Sequence, residues 1–173
     1  MLARVETKFM TDSSKRLVYS VDTSAFIDWQ HRFYPMDVFS SLLDRVDQLL
    51  KENRIFTPDL VKEEIGAFGS SELTTWAKGR SSLFVPLKEL LKEAQVIQNQ
   101  FPGLRDPKAE YEEADAYVIA LAKLRDCEVI TAETSASEKR SPKRSHYIPD
   151  VCRELGISCF NFLGLMRREK WKF

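Results

Sequence analysis

The chain has 173 residues, 43% of them hydrophobic and 30% charged, a balance that suits one domain and excludes collagen-like, low-complexity and disordered classes. Lys plus Arg equals Asp plus Glu at 26 each, yet residues 139–173 hold nine basic and three acidic side chains, a local +6, against −6 over residues 1–138. Three cysteines without Cys-x-x-Cys spacing and two histidines speak against zinc or a disulfide framework, and no stretch reaches the length of a membrane span or a signal peptide. The expectation is a protein of a reducing cytoplasm with no membrane partner.

Residues 1–16 are polar and unpatterned and are expected to form a flexible leader before a single domain over 17–173. Leu17 to Val21 is a β-prone run ending in Asp22, with Thr23 and Ser24 placed to cap a helix through Trp29. The spacing of Val38, Phe39, Leu42, Leu43, Val46, Leu49 and Leu50 predicts an amphipathic helix ending near Asn53. A strand at Arg54–Phe56 follows, then a helix from Asp59 to about Ala67, with Thr57 as N-cap and Pro58 at the first helical position. That helix carries Glu63 and Glu64.

Ser71 to Lys78 reads as a short helix, Leu83–Val85 as a brief strand or extended linker, and Pro86 to Gln100 as a helix ended by Phe101-Pro102-Gly103. Tyr111 to Leu124 reads as a helix with Asp115 in its first turns, and Glu128–Thr131 as a strand delivering Glu133. A basic loop, Glu138 to His146, leads to a helix at Pro149–Leu155, a strand at Ile157–Phe160 and a closing helix from Asn161. Alternation of strands with helices predicts a three-layer α/β fold with a mostly parallel central sheet.

In such a sheet, ligands sit outside the carboxyl ends of the strands where the strand order reverses. Asp22, Glu64, Asp115 and Glu133 all fall at or beside such ends. Singly each has a plain alternative: Asp22 a helix cap, Glu63 and Glu64 a solvated face, Asp115 a charge matched to a helix dipole. Together they would repel one another and hold their protons more tightly, so the cluster favours a hard cation bound through oxygen, Mg2+ or Mn2+ rather than zinc.

Order and spacing narrow the reading. Leu17-Val18-Tyr19-Ser20-Val21-Asp22-Thr23-Ser24-Ala25-Phe26-Ile27 resembles the opening motif of PIN-domain nucleases, and Glu64-Ile65 their second acid. Asp115-Ala116-Tyr117-Val118-Ile119-Ala120-Leu121-Ala122, followed 18 positions after its Asp by Glu133 in Val129-Ile130-Thr131-Ala132-Glu133, resembles the third and fourth motifs. The chain is most similar to a longer branch of PIN toxins with Thr-x-Glu in place of Thr-x-Asp. This resemblance implies a PIN-like fold and an Mg2+- or Mn2+-dependent ribonuclease acting on RNA, commonly a toxin neutralised by an antitoxin and often a homodimer.

On that reading Asp22, Glu64, Asp115 and Glu133 are catalytic metal ligands, and Ser24 and Thr131 hydrogen-bond them. Glu112, one helical turn before Asp115, would be an outer ligand or proton acceptor. Lys139, Arg140, Lys143 and Arg144 would bring cations to an otherwise phosphate-repelling site. The cysteines, tryptophans and most phenylalanines are expected to be core. Other readings are a PIN-fold RNA-processing nuclease outside toxin–antitoxin systems and a non-catalytic metal-binding module. A haloacid-dehalogenase-type phosphatase needs an Asp where Ser24 stands, and a von Willebrand A-like adhesion site needs a hydroxyl at Phe26.

Overall fold

The computed structural model describes residues 16–173, so the leader expected at 1–16 lies, but for Arg16, outside the described residues. Five strands, β1 (Tyr19–Val21), β2 (Ile55–Pro58), β3 (Phe84–Val85), β4 (Glu128–Ile130) and β5 (Cys159–Phe160), form a sheet of order β3-β2-β1-β4-β5. Every pairing is parallel, and β1 sits at the centre with Tyr19 beside both Ile55 and Glu128. Successive strand residues face opposite sides, and Tyr19, Ser20 and Val21 are all buried. Both faces of the sheet are therefore covered, which makes the fold three-layered α/β, as expected.

Among the described residues eight α-helices supply the cover: α1 (Thr23–Ile27), α2 (Ser40–Lys51), α3 (Asp59–Phe68), α4 (Ser71–Lys78), α5 (Leu87–Gln100), α6 (Asp115–Arg125), α7 (Ile148–Leu155) and α8 (Phe162–Arg168). A π-helical segment, Asp28–Phe33, prolongs α1. The central helix is α6, which packs on β1, β2 and β4 and is itself backed by α5 and α7. Its residues Ala116 to Ala122 are all buried, so it is apolar on every side rather than amphipathic. An aromatic cluster joins the π-helical segment, α4 and α8: Trp29 stacks on Phe162 at 5.4 Å and meets Trp76 edge-on at 5.0 Å.

Three expectations shift in detail. The helix expected from Tyr111 begins only at Asp115, because residues 105–114 form a loop whose Glu113 carboxylate accepts from the Asp106 amide within it. The helix expected from Val38 begins at Ser40, leaving Val38 67% exposed. Thr57 is not the cap of α3, since Pro58 takes that place; the buried Thr57 hydroxyl donates instead to the Val21 carbonyl at 2.6 Å, tying β2 to β1. Leu83–Val85, left open between strand and linker, is a short 3-10 turn running into edge strand β3. Trp29, Trp76, Cys127 and Cys152 are buried, as expected, while Cys159 and Trp171 are partly buried; of the described phenylalanines Phe26, Phe101 and Phe162 are buried but Phe33, Phe39, Phe68 and Phe173 are exposed, so most of the set is not core.

At the amino-terminal edge of the sheet, Glu169 accepts hydrogen bonds from the Tyr19 hydroxyl and from Arg54. The pair is largely shielded, with Arg54 14% and Glu169 10% exposed, and burial together with this bond raises the Tyr19 phenol well above its ordinary pKa. Removing one partner of a shielded pair strands the other. Glu169→Ala is expected to lower stability by about 3 kcal/mol, read as a fall in urea midpoint at unchanged slope.

Candidate active site

The chain runs from β1 outward through β2 to β3, then returns to pair β4 on the other side of β1. That reversal opens a crevice beyond the carboxyl ends of β1 and β4. Asp22 follows β1 directly and is 4% exposed. It caps α1, accepting from the Ser24 amide at 3.3 Å and from the Ser24 hydroxyl, and it also accepts from Thr131 Oγ1 at 2.9 Å. Ser24 and Thr131 thus occupy the supporting positions expected of them. Their hydroxyls lie 3.1 Å apart, Ser24 Oγ accepts from the Ala132 amide at 2.9 Å, and Thr131 Oγ1 accepts from the Glu133 amide at 3.1 Å.

Glu64 reaches the rim from α3, where its carboxylate accepts from the Thr23 hydroxyl and from the Ala114 amide at 3.0 Å. Glu133 lies in the loop after β4 and accepts from the Ile148 amide, the first of α7, at 3.0 Å. Three helices therefore turn amino-terminal N–H groups on three acids: α1 on Asp22, the start of α6 on Glu64, and α7 on Glu133. For α1 and α7 this follows from parallel topology, since each begins where a strand or its loop delivers the chain to the rim with its positive dipole end foremost, whereas α6 starts there after the loop 105–114 that follows α5.

Asp115 is the fourth acid, at the first position of α6. It shares a guanidinium with Glu133: Arg144 donates to Asp115 Oδ2 at 2.7 Å and to Glu133 Oε1 at 2.8 Å. The same side chain donates to the Leu104 carbonyl at 2.7 Å and lies 3.6 Å from Glu113 Oε1. Arg144 thus faces the acids, whereas Arg140 and Lys143 are exposed. Lys139 and Arg144 both lie over the Tyr147 ring, at 4.3 and 4.5 Å from its centroid.

The loop carrying these bases is pinned from two sides. The buried Asp150 carboxylate accepts from the Ala136 amide at 2.8 Å and the Tyr147 amide at 3.0 Å, and pairs with Arg153 at 2.9 Å. Burial works against its charge, but these donors outweigh it and hold Asp150 below its ordinary pKa. On the other side His146 donates to the Gly103 carbonyl, and a Cβ at Gly103 would fall 1.8 Å from Ser145 Oγ. Only glycine allows that approach without moving Ser145.

Glu112 is not on a helical face with Asp115. It is exposed, in the loop before α6, and its carboxylate accepts from the Tyr117 hydroxyl. Its neighbour Glu113, expected from the sequence to lie with Glu112 on a solvated face, accepts instead from the Asp106 amide at 2.8 Å and is the acid that approaches Arg144. Thr23, Tyr147 and Asp150 were likewise not read as parts of the site. The Thr next to Asp22 was visible as a cap candidate, but its partner Glu64 is 41 residues away.

All four acids have raised pKa values. Burial is the main cause for each; Asp22 adds repulsion to Glu64, to Glu133 and, with Glu133, to Asp115. Bonds from Ser24, Thr131, Thr23, Ala114 and Ile148, together with Arg144, oppose the rise without cancelling it. The donor set is all oxygen and over-supplied with negative charge, which matches a hard divalent cation in chemistry. As the side chains stand, no three Asp, Glu, His or Cys groups among the described residues are disposed to hold one; Asp115 and Glu133 hold the guanidinium.

These shifts carry a stability consequence. Acids that bind protons more tightly when folded leave the native state with more protons than the unfolded chain above the ordinary carboxylate range, so stability falls as pH rises through that window. Asp115 is raised well above its ordinary value, by burial first and by repulsion from Glu133 and Asp22. In EDTA at pH 7.5, Asp115→Asn is expected to melt roughly 3 °C or more above the unaltered protein, with the gap closing as pH falls to about 4. Thermal melts across pH check this.

Among the described residues no helix is long and apolar enough to cross a membrane. No curated protein matches the chain. Residues 19–173, from the first residue of β1 to the last of the chain and including every acid of the rim, match a family described as a domain of unknown function, DUF4411, and the chain belongs to that family.

Proposed function

We propose that the chain is a metal-dependent endoribonuclease of the PIN type, hydrolysing RNA phosphodiester bonds at the carboxylate rim. The observation that carries this reading is the electrostatic coupling of Asp22, Glu64, Asp115 and Glu133 at the strand-order reversal of an all-parallel sheet. Raised acids clustered in a crevice are what a functional site looks like, because structural packing alone has no reason to concentrate like charge. The four acids would hold Mg2+ or Mn2+, which when bound supplies a Lewis acid for the phosphate and a water of lowered pKa.

The chain's own residues have definite tasks in this scheme. Ser24 and Thr131 fix the rotamer of Asp22, and Thr23 with the Ala114 amide fixes Glu64, so that both carboxylates are held in place at the rim. Lys139, Arg140 and Lys143 offer cations beside the acids, where a polyanionic strand needs them. The family resemblance supports a toxin that acts in the cytoplasm, is restrained by a cognate antitoxin and forms a homodimer.

Purified protein should cleave single-stranded RNA with Mg2+ or Mn2+ and stop in EDTA, and Asp22→Asn should lose about a hundredfold or more. Glu133 has a longer arm and one oxygen already tied to the Ile148 amide, so Glu133→Gln should be rescued in part by higher Mn2+, whereas Asp22→Asn should not. Cleavage that persists in EDTA overturns the proposal. Replacing Lys139, Arg140 and Lys143 with Gln should weaken RNA binding and reduce the salt slope of log K by about 2, measured by fluorescence anisotropy in EDTA.

A further inference from the structure

Arg144 is the one cation of its loop whose donors are spent on the rim. Its side chain is 11% exposed, against 16% for Asp115 and 18% for Glu133. Burying a long charged side chain costs hydration and rotamer freedom, and only well-placed opposite charge offsets that cost. Here the planar fork meets two carboxylates at once, with Glu113 behind and the Leu104 carbonyl taking a further donor. A lysine ammonium has no such fork. Tyr147 lies under the guanidinium, and Asp150 and Gly103 fix the loop on either side.

We propose that Arg144 is a tethered counter-cation that shares Asp115 and Glu133 with the divalent cation of the site, and so sets the cation concentration at which the site fills. The inference rests on the metal-centre reading given above and adds a positioning residue to it. A guanidinium stays charged at any pH the fold survives, so it cannot step aside by losing a proton. A divalent cation using Asp115 or Glu133 must therefore draw that carboxylate away from Arg144 or accept a positive neighbour a few ångströms off, and either lowers its affinity. The Leu104 carbonyl and the Tyr147 ring hold the guanidinium without using a rim carboxylate, so they keep it beside the crevice once a carboxylate is taken. Held there, it faces the non-bridging oxygens of a bound phosphodiester, a geometry to which arginine is suited. In the absence of the divalent cation Arg144 keeps two like charges from driving the rim apart.

The test measures Mn2+ binding without RNA, by isothermal titration calorimetry at pH 7.5, on the unaltered full-length protein, Arg144→Gln and Arg144→Met. Gln keeps a neutral donor and Met keeps the packing on Tyr147, so either variant serves if the other fails to fold. Asp115→Asn identifies the site. The expected result is Mn2+ binding at least tenfold tighter in the neutral variants than in the unaltered protein, and weakened by Asp115→Asn. Both neutral variants should also melt lower than the unaltered protein in EDTA and gain more on adding Mn2+. Equal or weaker Mn2+ binding in the neutral variants, with Asp115-dependent binding intact in the unaltered protein, overturns the role of Arg144 and leaves the metal centre standing. Absence of Asp115-dependent Mn2+ binding in all of them overturns both.

Discussion

Like charge gathered in a poorly hydrated crevice is the constraint around which this molecule is arranged. Four carboxylates at the carboxyl edge of β1 and β4 repel one another, and burial strips them of the water that would screen the repulsion. The fold answers with fixed dipoles and one fixed charge. Amide groups at the starts of α1, α6 and α7 point at Asp22, Glu64 and Glu133, and the Arg144 guanidinium spans Asp115 and Glu133. The acids remain raised after all of this, so the compensation is incomplete, and positive charge from outside the chain has somewhere to go.

Stability is supplied elsewhere. A single apolar core runs from Tyr19 to Met166 and encloses residues Ala116 to Ala122 of α6, and the Glu169, Arg54 and Tyr19 group closes the opposite edge of the sheet. The rim can then hold an unfavourable arrangement because the strands beneath it are fixed by packing on both faces. This is the division of labour expected when a site is built on a rigid scaffold: side chains that would relax in solution are kept in register by hydroxyls and amides whose own positions the core determines.

The charge asymmetry of the chain takes a structural form in the same place. The basic end does not stay apart from the acidic body; Arg144 and Lys139 close over Tyr147 beside the rim, and Arg168 pairs with Glu128 at the start of β4. Part of the local +6 is thereby consumed inside the fold, and Arg140 and Lys143 are left exposed.

Sequence by itself determined the fold class, the order of the elements and all four acids of the rim at or beside strand ends and helix starts, because these depend on local patterns: a β-prone run closing on Asp22, apolar spacing of three and four, and an Asp heading an apolar helix. Ser24 was legible for the same reason, two residues from the Asp22 it supports, and Thr131 by its place two residues before Glu133, although the acid it donates to is Asp22, 109 residues away. What only the tertiary structure decided were pairings across long separations. Glu64 meets Thr23 and Ala114 across 41 and 50 residues, and Arg144 meets Asp115 across 29. Nothing local distinguishes Arg144 from Lys143 or Arg140 in a run of basic residues. The difference arises because Asp150 and Gly103 pin the loop so that one side chain of the run enters the crevice. Glu112 and Glu113 exchanged roles for a related reason: the helix starts at Asp115, where the loop before it has already spent its turn, so helical spacing could not be carried back past that residue.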